Sequence, residues 1–191
     1  FDILKSPLNF LQHQLGDIAH EQTLRVYEVS WEEEGKAISA SVDRNGTPWL
    51  RMFDPLGKRI DEILLPQEYW KLVKNGYKTG AVWRVFEENS LLTSYLQGYI
   101  TSFYDPGLYC PHTVSLATAV SIEKYGSESL KQCFLSQLLK KDNTVFQGAT
   151  WMTEIKGGSD LGSNTETVAS QNGENWLLSG DKYFCSNVQA E

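Results

Sequence analysis

The feature that most constrains this chain is a change of hydrophobic period near residue 145. Before it, apolar residues recur mainly at the i, i+3, i+4 spacing of helices. After it, they alternate in short runs bounded by turn residues. Helices followed by a run of antiparallel strands predict an α+β architecture with two segregated parts. Residues 1–145 read as a mainly helical domain with an early β-hairpin region, and 146–191 as the first part of an antiparallel β-domain. That second part is too short for a closed sheet stable alone, and it ends at Glu191 directly after a strand. The expectation is a chain that stops in mid-domain. A start at Phe1 rather than Met fits a piece in the same way.

Within the first part, Ile38, Ala40 and Val42 alternate ahead of Asn45-Gly46, which predicts a strand entering a hairpin. Asp54-Pro55-Leu56-Gly57 reads as a second turn. After Pro66 the period becomes helical, with Gly76 near the end of the first helix. Leu91, Leu92, Tyr95, Leu96, Tyr99, Ile100 and Phe103 form a broad helical stripe read as core, and Asp105-Pro106-Gly107 stops it. The small-residue run "HTVSLATAVSIEKYG" predicts a helix that packs closely on its neighbours. Ser127 is placed as the N-cap of another helix, with Lys140 and Lys141 in its last turn. Beyond residue 145, "NTVFQGATWMTE", "NTETVAS", "NWLLSG" and "DKYFCSN" all read as strands, with Asn172-Gly173 as a turn.

Composition narrows the function classes. The 191 residues are 41% hydrophobic and 12% aromatic, enough to bury a core, and a net charge of −7 argues against a nucleic-acid footprint on this segment. No run is long and apolar enough to span a bilayer, and no signal-peptide pattern opens the chain. Cys110, Cys133 and Cys185 are odd in number and widely spaced, which predicts buried, reduced thiols in a cytoplasmic protein rather than a disulfide frame or a metal site. His13 and His20 lie in a polar stretch with no recognisable partner, and His112, after Pro111, reads as a capping or surface residue ahead of the alternative that it points toward a substrate channel. Trp83 and Trp151 read as packing residues.

"MTEIKGGSDLGSN", residues 152–164, is the candidate functional loop. Gly157-Gly158-Ser159 can bring backbone N–H groups and a hydroxyl close to an anion. It lacks the lysine of a Walker A loop, and Ser159 stands where a dinucleotide fingerprint needs glycine. From the glycines alone, a surface turn between strands and an anion-approaching loop both remain open. Glu154 and Asp160 read as structural carboxylates that cap backbone amides or pair with Lys and Arg.

The spacing to later residues adds a resemblance. Met152, Thr153, Glu154, Gly158, Ser159, Asp160, Thr165 and Ala169, followed by Trp176, Leu178, Gly180, Lys182, Ser186 and Asn187, fall in register with the flavin-binding middle domain of acyl-CoA dehydrogenases. The wording of these motifs, with "CPHT" upstream, is most similar to the alkylation-response (AidB-type) branch. The resemblance implies an FAD site in which Thr153 contacts the pyrimidine end of the flavin, with Met152 beside it. Gly158 and Ser159 face the pyrophosphate, and Ser159 also reaches a substrate phosphate or pantetheine. Phe184, Cys185 and Ser186 match the strand that lies against the ring near N5. Phe184 and Ser186 stand for the family's tryptophan and threonine, keeping a ring and a hydroxyl. Ile155 and Lys156 depart from the usual proline and small residue.

The resemblance also implies the reaction, α,β-dehydrogenation of an acyl-CoA or similar thioester with hydride passing to flavin N5. The catalytic base would come from a C-terminal helical domain, since no glutamate of residues 1–191 matches its context; no metal is implied. This chain alone is then expected to be inactive and to hold FAD weakly or not at all. The full-length protein is expected to be a homo-oligomer, dimer or tetramer, with no membrane association. The alternative implied by the AidB-type branch is a flavoprotein of the alkylation-stress response, touching nucleic acid only through its C-terminal region.

Overall fold

The computed structural model describes residues 5–189. The expectations that rest on the chain's first residue and on Glu191 lie outside them. The first helix, α1 (Pro7–Leu15), starts as its sequence dictates: Pro7 fits the first turn and Ser6 Oγ accepts from Asn9 N at 3.0 Å. Helix α2 (Glu21–Ser30) runs through a π-helical turn, Trp31–Gly35, into α3 (Lys36–Asn45) without a break. Glycine is required in that turn, because a Cβ on Gly35 would lie 2.6 Å from the Trp31 ring.

Helix α3 corrects the strand expected from Ile38, Ala40 and Val42. Ile38 and Val42 are also four residues apart, so the same letters serve a helical face, and both are half-buried there. Asn45-Gly46 ends this helix instead of turning a hairpin, with Gly46 N donating to Val42 O at 2.9 Å. The hairpin sits one step later. β1 (Trp49–Phe53) pairs antiparallel with β2 (Arg59–Leu64) around the predicted Asp54–Gly57 turn. There Asp54 Oδ1 accepts from Leu56 N and Lys58 N at 2.8 and 2.9 Å, and Gly57 has φ +82°.

Helix α4 (Gln67–Thr79) continues past Gly76 and stops at Gly80, whose φ is +123°. Gly76 is instead the floor for a side chain from a later helix. A Cβ there would lie 2.2 Å from Cε1 of His112, which corrects the surface reading of that histidine. His112 is only 2% exposed, with Nε2 2.9 Å from Val73 O and its ring edge-on to Tyr77. Helix α5 (Trp83–Glu88) is short. Trp83 is half-buried, with Arg84 and Lys141 laid against its ring. His20 has a partner after all, Glu88 at 2.7 Å, and His13 is not free either.

Helix α6 (Leu92–Tyr104) carries the aromatic stripe, and only part of it is core. Leu96 and Ile100 are buried, whereas Leu91, Leu92, Tyr95, Tyr99 and Phe103 are exposed. The stripe is wider than the face that meets α1, α2 and α7. Asp105-Pro106-Gly107 ends α6 as expected and also starts α7 (Pro106–Tyr125), with Asp105 Oδ1 accepting from Leu108 N at 3.1 Å. Ser127 caps the next helical stretch as predicted: α8 (Glu128–Leu130), a π turn at Lys131–Leu135, and α9 (Ser136–Leu138). The core centres on Leu8, Leu24, Val73, Ile100 and Ala119. Cys110 and Cys133 are exposed and Cys185 half-buried, so the thiols are free but not buried.

The remaining residues are less regular than their alternation suggests. Among the described residues, 146–160 form no strand. A short helix, α10 (Leu161–Asn164), precedes one antiparallel hairpin, β3 (Val168–Asn172) and β4 (Asn175–Ser179). "DKYFCSN" is not a strand: Phe184 and Asn187 have φ of +54° and +58°, which breaks extension twice. These segments have no neighbouring ladder among the described residues, and side chains with a single backbone bond, Tyr183 N to Thr153 O, tie them to each other instead. The architecture is α+β with small antiparallel sheets, and no described helix is long and apolar enough to cross a membrane.

Two outcomes follow from the His112–Gly76 contact. In an open helix Gly→Ala would gain up to about 1 kcal/mol. Here Gly76→Ala forces the imidazole out and should lower stability by about 1–3 kcal/mol, read from urea unfolding midpoints. Burial also holds the His112 pKa down, to about 4. The native state therefore favours neutral imidazole. The stability it contributes is complete above the ordinary value of 6.5 and is lost as pH falls from there toward 4, by on the order of 3 kcal/mol. His112→Asn should flatten that limb of the stability–pH curve.

Candidate functional site

The site is assembled on α7. Its small residues let the chain at Gly148 lie directly against the helix. Ser115 Oγ accepts from Gly148 N at 2.9 Å, and Thr118 Oγ1 donates to Ala149 O at 3.2 Å. A Cβ on Gly148 would come within 2.5 Å of Thr118, so only glycine fits this approach.

From Gly148 the chain runs out as Trp151, Met152, Thr153 and Glu154, and residues 182–187 are laced to it. Tyr183 N donates to Thr153 O at 2.8 Å, Lys182 Nζ to Met152 O at 3.2 Å, and Trp151 Nε1 to Ser186 O at 3.0 Å. Asn187 Nδ2 closes the far end on Gly148 O at 2.9 Å. The two motif halves, thirty residues apart in sequence, therefore form one surface. Trp151, expected to be a packing residue, is 41% exposed and acts as one of these ties.

Glu154 holds the surface to the hairpin. Its carboxylate is nearly covered by its partners: it accepts from Glu166 N at 2.5 Å, from Thr167 N and Oγ1, and from Lys182 Nζ at 2.6 Å. The layer of protein around it is thin, so the partners rather than depth set its chemistry. The Lys182 ammonium first, then the Thr167 hydroxyl and the Glu166 amide, hold its pKa down at about 2. The structural role expected of Glu154 is the one observed. Its backbone also closes the loop, with Glu154 N donating to Gly157 O at 2.8 Å and Gly157 N returning to Glu154 O at 3.2 Å. Lys156 at the tip pairs with Glu166 at 2.6 Å. Asp160 accepts from Asn164 Nδ2 at 2.8 Å, a side-chain contact in place of the amide or cation expected.

The outward side of this surface is apolar and unspent. Met152 is 63% and Phe184 77% exposed, and Thr153 and Cys185 are half-buried beside them. Gly158, Ser159 and Ser186 are exposed. The side-chain hydroxyls of Thr153, Ser159 and Ser186 have no hydrogen-bond partner among the described residues. Gly158 has neither a positive φ nor any atom within 4 Å of a Cβ position, so nothing in the chain itself demands glycine there. Free hydroxyls, an exposed ring and a backbone open to close approach are the donor set that a flavin dinucleotide would use, and the residues present fit it. A cleft of about 340 Å³ lined by Ala149, Trp151, Thr167, Leu178, Gly180 and Lys182 adjoins them. Among the described residues, no cluster of three or more His, Cys, Asp or Glu side chains could hold a metal ion. The bracing residues Ser115, Gly148 and Tyr183 were not read from the sequence. The one signal for them was the glycine of "QGAT" following a helix of small residues.

The chain is similar to several known proteins. The family described as the adaptive response protein AidB N-terminal domain matches residues 5–143. The acyl-CoA dehydrogenase family member 11 of Caenorhabditis elegans is 27% identical over 173 residues, covering 82% of this chain and 28% of that protein. The glutaryl-CoA dehydrogenase of Desulfococcus multivorans is 38% identical over 73 residues, 38% of this chain and 18% of that protein. Among solved structures, Caenorhabditis elegans ACDH-11 in complex with C11-CoA superposes with a TM-score of 0.74 at 22% identity, covering 98% of this chain and 34% of that one. The apo form of Bd2924 superposes with a TM-score of 0.76 at 25% identity, covering 96% and 39%. The chain thus spans less than a third of the curated relatives it matches. With the family match extending over most of its length, the chain belongs to the AidB N-terminal domain family of acyl-CoA dehydrogenase-type proteins.

Proposed function

We propose that residues 148–187 form one wall of an FAD site in an acyl-CoA dehydrogenase-type oxidoreductase that removes the α and β hydrogens of an acyl-CoA thioester. The observation that carries this reading is the lacing of Met152–Glu154 to Lys182–Ser186, which puts the two motif halves on one surface with their hydroxyls unspent. The bound flavin would supply the hydride-accepting group.

The chain's own residues bind and orient. Thr153 offers its hydroxyl to the pyrimidine end, with Met152 beside it. Gly158 lets the backbone approach the pyrophosphate, and Ser159 adds a hydroxyl that also serves a substrate phosphate or pantetheine. Phe184 and Cys185 cover the ring and keep water off it, and Ser186 donates near the reacting edge. Lys182 and Glu154 are positioning residues, holding loop and wall in one geometry. The carboxylate that takes the α-proton belongs to a C-terminal helical region of the whole protein, so residues 1–191 alone are inactive and hold FAD weakly. The thioester substrate is supported by the relative solved with C11-CoA. We place the domain division at residue 145, the protein in the cytoplasm, and the full-length assembly as a dimer or tetramer.

The match to the AidB N-terminal domain in particular favours a second reading, a flavoprotein of the alkylation response with weak dehydrogenase activity whose nucleic-acid contact lies outside these residues. Anaerobic titration of the full-length protein with acyl-CoAs separates the two. Flavin bleaching with at least one chain length is expected, and its absence with every chain length sinks the dehydrogenase reading. In the same protein, Lys182→Met should weaken FAD retention by about tenfold or more, because the wall loses its tie to both Met152 O and Glu154. Retention unchanged by Lys182→Met would remove the positioning role.

A further inference from the structure

A groove of about 550 Å³ runs between α4 and the π turn at Trp31–Gly35. A second, of about 690 Å³, continues it between α4, β2 and residues 143–147. Trp70, Lys74 and Asn143 line both, and neither contains a residue of the wall at 148–187. The π turn shapes the first groove, and the Trp31 ring lies against Gly35, where any other residue would place a side chain. Such turns gather at functional sites.

The charges of the groove are unbalanced in an unexpected direction for a chain of net charge −7. The carboxylates that line it are already engaged, Glu34 by Lys71 and Glu62 by Arg51. Asp142, near Lys78, accepts from Thr144 N and Oγ1 at 2.7 Å. Lys74 and Lys78 lie on one face of α4 and have no carboxylate in salt-bridge range among the described residues. Lys74 is half-buried, with its ammonium 6.0 Å from the centre of the Trp70 ring. Lys74 and Lys78 stand one helical turn apart and repel each other, and an anion between them relieves that repulsion. At the other end, Gln147 lines the groove and its side-chain carbonyl is buried without a hydrogen-bond partner. That oxygen has essentially no surface open to the groove, so Gln147 contributes to the wall and not a hydrogen bond.

We propose that this groove binds a nucleotide-type phosphate, with its heteroaromatic ring against Trp70 and its phosphates between Lys74 and Lys78. The pieces match that class: two cations for phosphate and a flat indole for the ring.

Equilibrium dialysis of the intact protein with ADP, pyrophosphate and adenosine tests this. ADP should bind saturably at low salt, more tightly than pyrophosphate and far more tightly than adenosine, and should weaken as salt rises. Lys74→Gln with Lys78→Gln should weaken ADP by about tenfold or more, and the exposed Lys78→Gln alone by a smaller factor should the pair disturb folding. Trp70→Leu should weaken ADP and leave pyrophosphate unchanged. Three results would each overturn the proposal: no saturable ADP binding, ADP binding indifferent to the lysine variants, or pyrophosphate binding as tight as ADP and insensitive to Trp70→Leu. The deciding readout is the part of ADP binding lost in the Lys74, Lys78 and Trp70 variants. These residues lie outside the wall at 148–187, which would itself accept the ADP part of a flavin dinucleotide, so the groove fails or succeeds separately from the oxidoreductase reading.

Discussion

The carboxylate of Glu154 is the point on which the candidate site turns. It draws together the loop that carries Gly158-Ser159, the start of β3 at Thr167, and Lys182 of the returning segment. None of these has a hydrophobic core of its own, and every position of β3 and β4 is exposed. Apolar burial therefore cannot set their relative placement, and charge-assisted hydrogen bonds do so instead. A nearly covered ion pair is weak evidence for stability but a good device for specifying one geometry. Its acceptors are filled by four donors from two segments, so a shift of either one leaves a charged group unsatisfied.

The sequence was legible where one residue type has few physical fates. A carboxylate inside a tight loop usually caps amides or pairs with a cation, and Glu154 does both, whereas Asp160 takes the Asn164 side chain instead. Ser127 ahead of a helical period could only cap, and Asp105-Pro106 could only end one helix and begin the next. The spacing from Met152 to Ser186 was legible for a different reason: a shared surface demands fixed intervals, and the lacing of Thr153 to Tyr183 shows what those intervals serve. The misreadings have a common cause, which is that periodicity records a side chain's spacing and not its partner. Ile38 and Val42 suit a strand of period two and a helix of period four equally well, and continuity with the preceding π turn decided for the helix. "DKYFCSN" alternates as a strand does, but without a neighbouring ladder its backbone turns at Phe184 and Asn187. The stripe on α6 outruns its contacts, so Tyr95 and Tyr99 face outward while Leu96 and Ile100 face in. His112 lies inside because its cavity is built by a missing side chain, Gly76, on a helix well upstream in the sequence.

The same cavity explains how the helical part positions the wall. Gly76 admits His112, and His112 reaches Val73 O, which fixes α7 against α4. Tyr77, one residue on, then places its hydroxyl 2.7 Å from Ser115 Oγ and 3.0 Å from Pro111 O. Ser115 in turn accepts from Gly148 N, where the wall begins. An unbroken chain of buried contacts thus runs from the core to the first residue of the site. Proline within α7 belongs to this chain as well: Pro111 offers Tyr77 a carbonyl rather than merely costing the helix a donor. The small residues of α7 then have a double purpose. They bring α4 close enough for the tyrosine to reach Ser115, and they let the Gly148 backbone lie on the opposite side of that hydroxyl. A larger residue at 115 or 148 would push the start of the wall off α7, so the placement of Thr153 and Phe184 is set by packing far from either.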